Sequence, residues 1–191
     1  MARVRKPKPT LDVILFSTPE QKVIRFLLSQ PTTAFTPRVI SSKLKGVRGL
    51  GGSEGITQIL LDFQDLGLVE FVDNQRAVRM RDDSPKVQLL KTLAALSDLE
   101  GLRVLLEPIS QKGVLFGCRA TGKATSESDY DLFVVSESPD VIKHTTMKHP
   151  IGKQVELITF TPDEYTNIAS KDPDLHHKLS SGILIWGSGG W

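Results

Sequence analysis

Residues 113–135, GVLFGCRATGKATSESDYDLFVV, combine a glycine-rich turn with an acidic strand. The apolar residues 114–116 predict a short buried strand, and Gly117 and Gly122 predict a sharp turn after it. Backbone N–H groups in such a turn can bind a phosphate, above all at the start of a helix. Because side chains alternate along a strand, Asp129 and Asp131 are expected on the same face.

Two neighbouring carboxylates repel each other, and a divalent cation between them removes that repulsion. Ligands that are all oxygen favour Mg²⁺ or Mn²⁺ over zinc. Glu156 is the only acid in the next apolar strand pattern, residues 154–160, and is the expected third ligand. An isolated Asp-x-Asp pair is more often simply solvated, and an isolated glycine turn is an equally weak signal. Their combination predicts phosphoryl or nucleotidyl transfer.

The spacing of these motifs resembles a known signature. GCRATG at 117–122, five further residues and SDYDL at 128–132 resemble minimal nucleotidyltransferases of the DNA polymerase beta superfamily, over roughly residues 112–187. The family usually has serine where this chain has Cys118, and a thiol is a weaker hydrogen-bond donor than a hydroxyl. By resemblance, ATP or another NTP is the substrate and Mg²⁺ (or Mn²⁺) the cofactor.

The resemblance also implies a set of site residues. The expected catalytic and metal-binding residues are Asp129, Asp131 and Glu156. The expected nucleotide-binding residues are Gly117, Cys118, Arg119, Lys123 and Ser128. For Arg119 and Lys123 the alternative is a solvated surface position.

Composition indicates an ordinary globular protein: 191 residues, 39% hydrophobic and 24% charged, with a formal net charge of +2. One cysteine excludes an internal disulfide and favours a reducing cytosol. The chain shows neither a secretory signal nor an apolar run long enough to span a bilayer, so a cytoplasmic location without membrane contact is expected.

The N-terminal half predicts a separate domain. Residues 1–10 are basic and proline-rich and predict a disordered tail. Residues 11–83 contain a short apolar segment, strand or helix, then three amphipathic helices and a β-hairpin. That order resembles a winged helix-turn-helix domain. The hydroxyl–proline pairs Thr18-Pro19 and Thr36-Pro37 are typical helix starts.

DNA is a candidate partner of this domain. Residues 1–85 contain 13 Lys and Arg against 9 Asp and Glu, whereas the remainder contain 11 against 13. Acids on the predicted recognition helix disfavour rich base readout, so protein contact or dimerisation is the alternative. The candidate phosphate contacts come from the loop before that helix and from the hairpin: Lys43, Lys45, Arg48, Arg76, Arg79 and Arg81.

Residues 84–191 predict the nucleotidyltransferase domain, a mixed sheet flanked by helices, which makes the whole chain α+β. A helix is expected over about 86–99 with a second before Pro108, a polar loop over 136–150, and helices from 161 and 172 before a closing apolar strand.

Two functional hypotheses follow. The first is an Mg²⁺-dependent nucleotidyltransferase that moves a nucleotide, AMP from ATP foremost, onto a protein or small acceptor. Because some family members are antitoxins, a HEPN-type toxin is a candidate acceptor, and a homodimer is a further candidate assembly. The second is a winged-helix transcriptional regulator whose nucleotidyltransferase-like domain senses nucleotide or dimerises without catalysis.

Overall fold

The computed structural model describes residues 10–188. The predicted basic tail therefore lies outside the described residues, except for Thr10, whose side chain caps the first helix. The α-helices are α1 (Leu11–Leu15), α2 (Pro19–Ser29), α3 (Pro37–Lys43), α4 (Gly52–Asp65), α5 (Pro85–Leu106), α6 (Gly117–Ala120), α7 (Pro139–Lys148), α8 (Pro162–Thr166), α9 (Ile168–Lys171) and α10 (Pro173–Ser180). The strands are β1 (Val69–Val72), β2 (Ala77–Met80), β3 (Lys112–Phe116), β4 (Tyr130–Val135), β5 (Val155–Phe160) and β6 (Ile183–Trp186).

The N-terminal part contains the predicted three helices and hairpin, α2 to β2. α2 begins with a capping box in which Thr18 Oγ1 accepts from the backbone N–H of Gln21 and Gln21 Oε1 accepts from that of Thr18. β1 and β2 pair antiparallel, and Phe35 forms a bridge to Val78 beside them. The apolar segment before α2, for which the sequence allowed either a strand or a helix, forms the helix α1. The winged-helix assignment itself stays a prediction.

The predicted pair of helices after residue 84 is a single helix, α5, of 22 residues. The predicted end of the first helix near residue 99 was wrong: the helix continues through Gly101, since glycine in a helix interior costs only about 1 kcal/mol. A β-carbon at Gly101 would lie 3.0 Å from His149 Nε2. The glycine therefore allows α5 to pack closely against His149, the residue that follows α7.

α5 contributes to two hydrophobic clusters. Val87 and Ala94, from its first half, are buried with α2, α4 and the hairpin. Ala95, Leu99 and Leu102 are buried against the larger sheet. The predicted domain boundary at residues 83–84 is thus followed at once by a helix common to both cores, and the boundary stays a prediction.

The larger sheet is mixed and has the strand order β5-β4-β3-β6. β3 pairs antiparallel with β4 and β6, whereas β4 and β5 are parallel. α5 and α7 pack on one face, and α9 and α10 contribute Ile168 and Leu179 to the other. The predicted α+β class and helix-flanked mixed sheet are confirmed.

The polar segment 136–150 is not a loop but contains α7. Ile142 and Thr146, four residues apart, are its buried positions. Because only these two positions are buried and lysines and histidines lie around them, no amphipathic helix pattern was visible in the sequence. Within residues 10–188, none of the helices combines the length and the apolar character that crossing a bilayer requires.

Candidate active site

The glycine turn and the acidic strand meet at one point of the sheet. Phe116, the last residue of β3, pairs with Asp131 of β4, and the chain turns at Gly117, whose φ is +68°. A β-carbon at Gly117 would lie 2.0 Å from Asp131 Oδ2. The turn therefore lies directly against the carboxylate, and any side chain at position 117 would displace Asp131 and strain the backbone.

The third predicted acid is brought to the same place by the sheet. Asp131 and Glu156 are register partners on the parallel strands β4 and β5, so their side chains leave the same face of the sheet. Asp129 lies just before β4 and is exposed, as is Glu156, whereas Asp131 is half-buried.

The neighbouring carboxyl groups shift the pKa of Asp131. Burial raises the pKa of the Asp131 carboxyl, and the negative charge of Glu156 and a hydrogen bond shared by the two carboxyls raise it further. The charge of Asp129 adds to the same shift. A divalent cation held between these carboxylate oxygens would remove the repulsion that raises the pKa of Asp131.

Within residues 10–188, no three His, Cys, Asp or Glu side chains are grouped in the arrangement of a metal centre. The donor set nevertheless suits Mg²⁺ or Mn²⁺, since carboxylate oxygens are the ligands those ions prefer. Asp131 and Glu156 are register partners on neighbouring strands, and Asp129 lies two residues before Asp131 in the sequence.

A cavity of about 440 Å³ opens beside Asp131. Four predicted residues line it: Gly117, Cys118, Lys123 and Asp131. Its lining also includes residues that sequence reasoning missed: Thr121, Lys178 and Ser181. Lys178 lies on α10 and Ser181 directly after it, and nothing local in the sequence relates them to the glycine turn.

Two predicted nucleotide contacts lie elsewhere. Arg119 is not among the residues that line this cavity; its Nε donates to the carbonyl oxygens of Ser128 (3.2 Å) and Asp129 (3.0 Å). Ser128 Oγ accepts from the backbone N–H of Thr125 at 2.9 Å, which fixes the loop before β4. Both residues hold this loop in place, and their contact with nucleotide stays a prediction without geometric support.

Comparison with known proteins addresses the same segment. Residues 99–178 match the nucleotidyltransferase domain family. The matched region runs from the second half of α5 to α10 and includes the turn, the three acids and Lys178. The match supports the predicted resemblance over residues 99–178, and the predicted domain bounds, residues 84–191, stay a prediction.

A structural comparison found a crystal structure from Sulfolobus solfataricus that is described, provisionally, as a nucleotidyltransferase. It is 16% identical, with a TM-score of 0.34, and the match covers 55% of this chain and 91% of that one. Similarity at that level bears on neither fold nor function. No curated protein compared with the sequence matched it significantly.

Proposed function

We propose that this protein is an Mg²⁺-dependent nucleotidyltransferase that moves a nucleotide, AMP from ATP foremost, onto a hydroxyl of a protein or small acceptor. The supporting observation is the contact of Gly117 with Asp131, the carboxyl that pairs with Glu156 across in-register parallel strands. This contact lies inside the segment that matches nucleotidyltransferase domains.

The residues would divide the work as follows. Asp131 and Glu156, with Asp129, would hold the divalent cation, which when bound neutralises phosphate charge and lowers the pKa of the attacking hydroxyl. Gly117 leaves room for a phosphate beside Asp131. Lys123 and Lys178, both on the cavity, would supply positive charge to the triphosphate.

The overall reaction would join the acceptor oxygen to the α-phosphorus of the NTP and release pyrophosphate. The acceptor's proton would pass to a carboxylate or to water. A protein acceptor such as a HEPN-type toxin remains one candidate, and a homodimer is a candidate assembly.

Label transfer tests the proposal. The protein is incubated with each α-³²P-labelled NTP, Mg²⁺ and cell extract, and compared with the Asp129→Ala plus Asp131→Ala variant. We expect label on a discrete acceptor with wild type, and none with the double variant or in EDTA. A Cys118→Ser variant is run in parallel, because serine restores the family's hydroxyl donor. Absence of transfer by both wild type and Cys118→Ser, with every NTP, would overturn the proposal.

A second candidate function is DNA binding by the N-terminal part, as in a winged-helix regulator that does not catalyse. All six predicted phosphate-contacting cations are exposed: Lys43, Lys45, Arg48, Arg76, Arg79 and Arg81. Among the described residues Arg79 pairs with Glu70, and the other five form no ion pair. Cations without partners on one helix–hairpin unit suit a polyanion.

Mobility shift with genomic fragments at moderate salt tests this function. We expect retardation that weakens in the Arg76→Ala plus Arg81→Ala variant, with a salt slope reduced by about 2 because two phosphate contacts are lost. Lys153→Ala plus Lys171→Ala, which removes equal charge from the C-terminal part, should bind like wild type. Equal weakening by both variants would show that net charge alone causes binding.

A further inference from the structure

Polar side chains connect the N-terminal helices to the loop that carries Asp129. Arg25 of α2 is ion-paired with Asp98 of α5, and its Nε also donates to Asp12 Oδ1 of α1 at 2.9 Å. Tyr130 Oη donates to the other carboxylate oxygen of Asp98, Oδ2, at 2.8 Å. Asp98 is therefore a bridge: one oxygen binds the N-terminal helices and the other binds the first residue of β4.

Tyr130 in turn contacts Arg119. The Arg119 guanidinium lies over the Tyr130 ring, with Cζ 3.8 Å from the ring centroid. From that position it donates to the carbonyl oxygens of Ser128 and Asp129. Two consecutive peptide units before β4 are thus held by one side chain, whose own place is set by the Tyr130 ring.

The side chains that form these contacts are largely buried. Tyr130 is 4% exposed, and the side chains of Arg25 and Asp98 are 21% and 27% exposed. The buried Tyr130 hydroxyl donates to Asp98 Oδ2. A charge-assisted hydrogen bond between partly buried groups is stronger than one between fully exposed groups.

The position of Tyr130 relates the network to the site. Tyr130 lies between Asp129 and Asp131, and its side chain points to the α5 face, whereas that of Asp131 points to the opposite face beside Gly117. Any shift of the Tyr130 backbone therefore moves both acids.

The four side chains also line a cavity of about 280 Å³ between α2, α5 and the loop over residues 124–126. The network can therefore be reached from solvent, at the place where the N-terminal helices meet the second half of the chain.

We infer that Arg25, Asp98 and Tyr130 are positioning residues for nucleotidyl transfer, which hold the backbone of 128–130 and thereby fix the positions of Asp129 and Asp131 relative to Glu156. It follows that the seating of α2 affects the geometry of the site. The inference deepens the proposed function and rests on it for its kinetic consequence, but the effect on the loop can be measured without catalysis.

Hydrogen–deuterium exchange of the full chain tests the inference. In Asp98→Asn and in Tyr130→Phe, which keeps the ring under Arg119, we expect amides over residues 125–131 to exchange roughly tenfold faster, because a charge-assisted bond is lost. The matched control is Glu100→Gln on the same helix, which removes the ion pair with Arg103 instead. In this control, the amides of residues 125–131 should exchange at the wild-type rate. Unchanged loop exchange in both test variants would overturn the inference.

Arg25→Gln separates the two halves of the network. If α2 contributes, this variant also loosens residues 125–131; if the loop stays protected while Asp98→Asn loosens it, the link to the N-terminal helices is overturned. In label transfer we expect Arg25→Gln to lower kcat about tenfold and to change the KM for NTP less than about twofold, because Arg25 does not line the cavity beside Asp131. A wild type that transfers nothing refutes the proposed function but leaves the exchange result interpretable.

Discussion

Asp131→Asn should lower nucleotide transfer by about 10³-fold or more, the largest effect of any single side chain in this protein. Asp131 is the half-buried acid at which β4, β5 and the Gly117 turn meet. Asparagine keeps the shape of the side chain but lacks the charge that holds a divalent cation. Initial rates of label incorporation at saturating NTP and Mg²⁺ measure the loss. A fall of less than tenfold would remove Asp131 from the metal site.

The same substitution should stabilise the protein when no metal is bound. Because the pKa of Asp131 is raised in the folded state, its contribution to stability is full below its unfolded pKa and is lost as pH rises through the folded value. At neutral pH the ionised Asp131 therefore destabilises the metal-free fold. Solvent screens this half-exposed group, so we expect Asp131→Asn in EDTA to gain less than ~1 kcal/mol, about 1–3 °C in Tm.

Two controls make the stability result specific. The gain should shrink as pH is lowered towards acid, where wild-type Asp131 is protonated too. Mg²⁺ should raise the Tm of wild type but not of Asp131→Asn. Asp83→Asn, which removes an exposed acid that does not line the cavity, should show neither behaviour. An Asp131→Asn protein that is less stable than wild type in EDTA would contradict the crowding described here.

Gly117→Ala should reduce transfer at least about 10²-fold and destabilise the fold by about 1–3 kcal/mol. The new methyl group would occupy the place of Asp131 Oδ2, from which it would be 2.0 Å away, and φ at this position is +68°. Asp131 must therefore leave its present position between the turn and Glu156, while the backbone bears the left-handed strain. Label transfer and chemical denaturation measure the two effects.

Gly52→Ala is the matched control for Gly117→Ala. Gly52 has nearly the same φ, +67°, but a β-carbon there meets nothing within 4 Å. It should therefore show the cost of left-handed backbone, about 1 kcal/mol, with transfer unchanged. If Gly117→Ala retains wild-type transfer, the close approach of turn and carboxylate has no catalytic meaning.

Features encoded by neighbouring residues could be predicted from the sequence. The hydroxyl–proline starts of α2 and α3, the turn at Gly117 and the acidic strand β4 all depend on residues close together in the chain. The continuous α5 and the helix α7 were not predicted because tertiary packing outweighed local preference. Arg119 lies in the motif, yet its direction is set by Tyr130, and Lys178 reaches the cavity from a helix far along the chain. Such placements depend on how distant segments pack, which local patterns do not encode.

The division of α5 between two cores constrains how the chain can be cut or recombined. A fragment ending at residue 84 would leave α2 and α4 without Val87 and Ala94. A fragment beginning after Ala94 would instead retain Ala95, Leu99 and Leu102 against the sheet but lose the first turns of their helix. The two halves therefore share the helix α5. We expect thermal unfolding to be a single cooperative transition in which both halves unfold together.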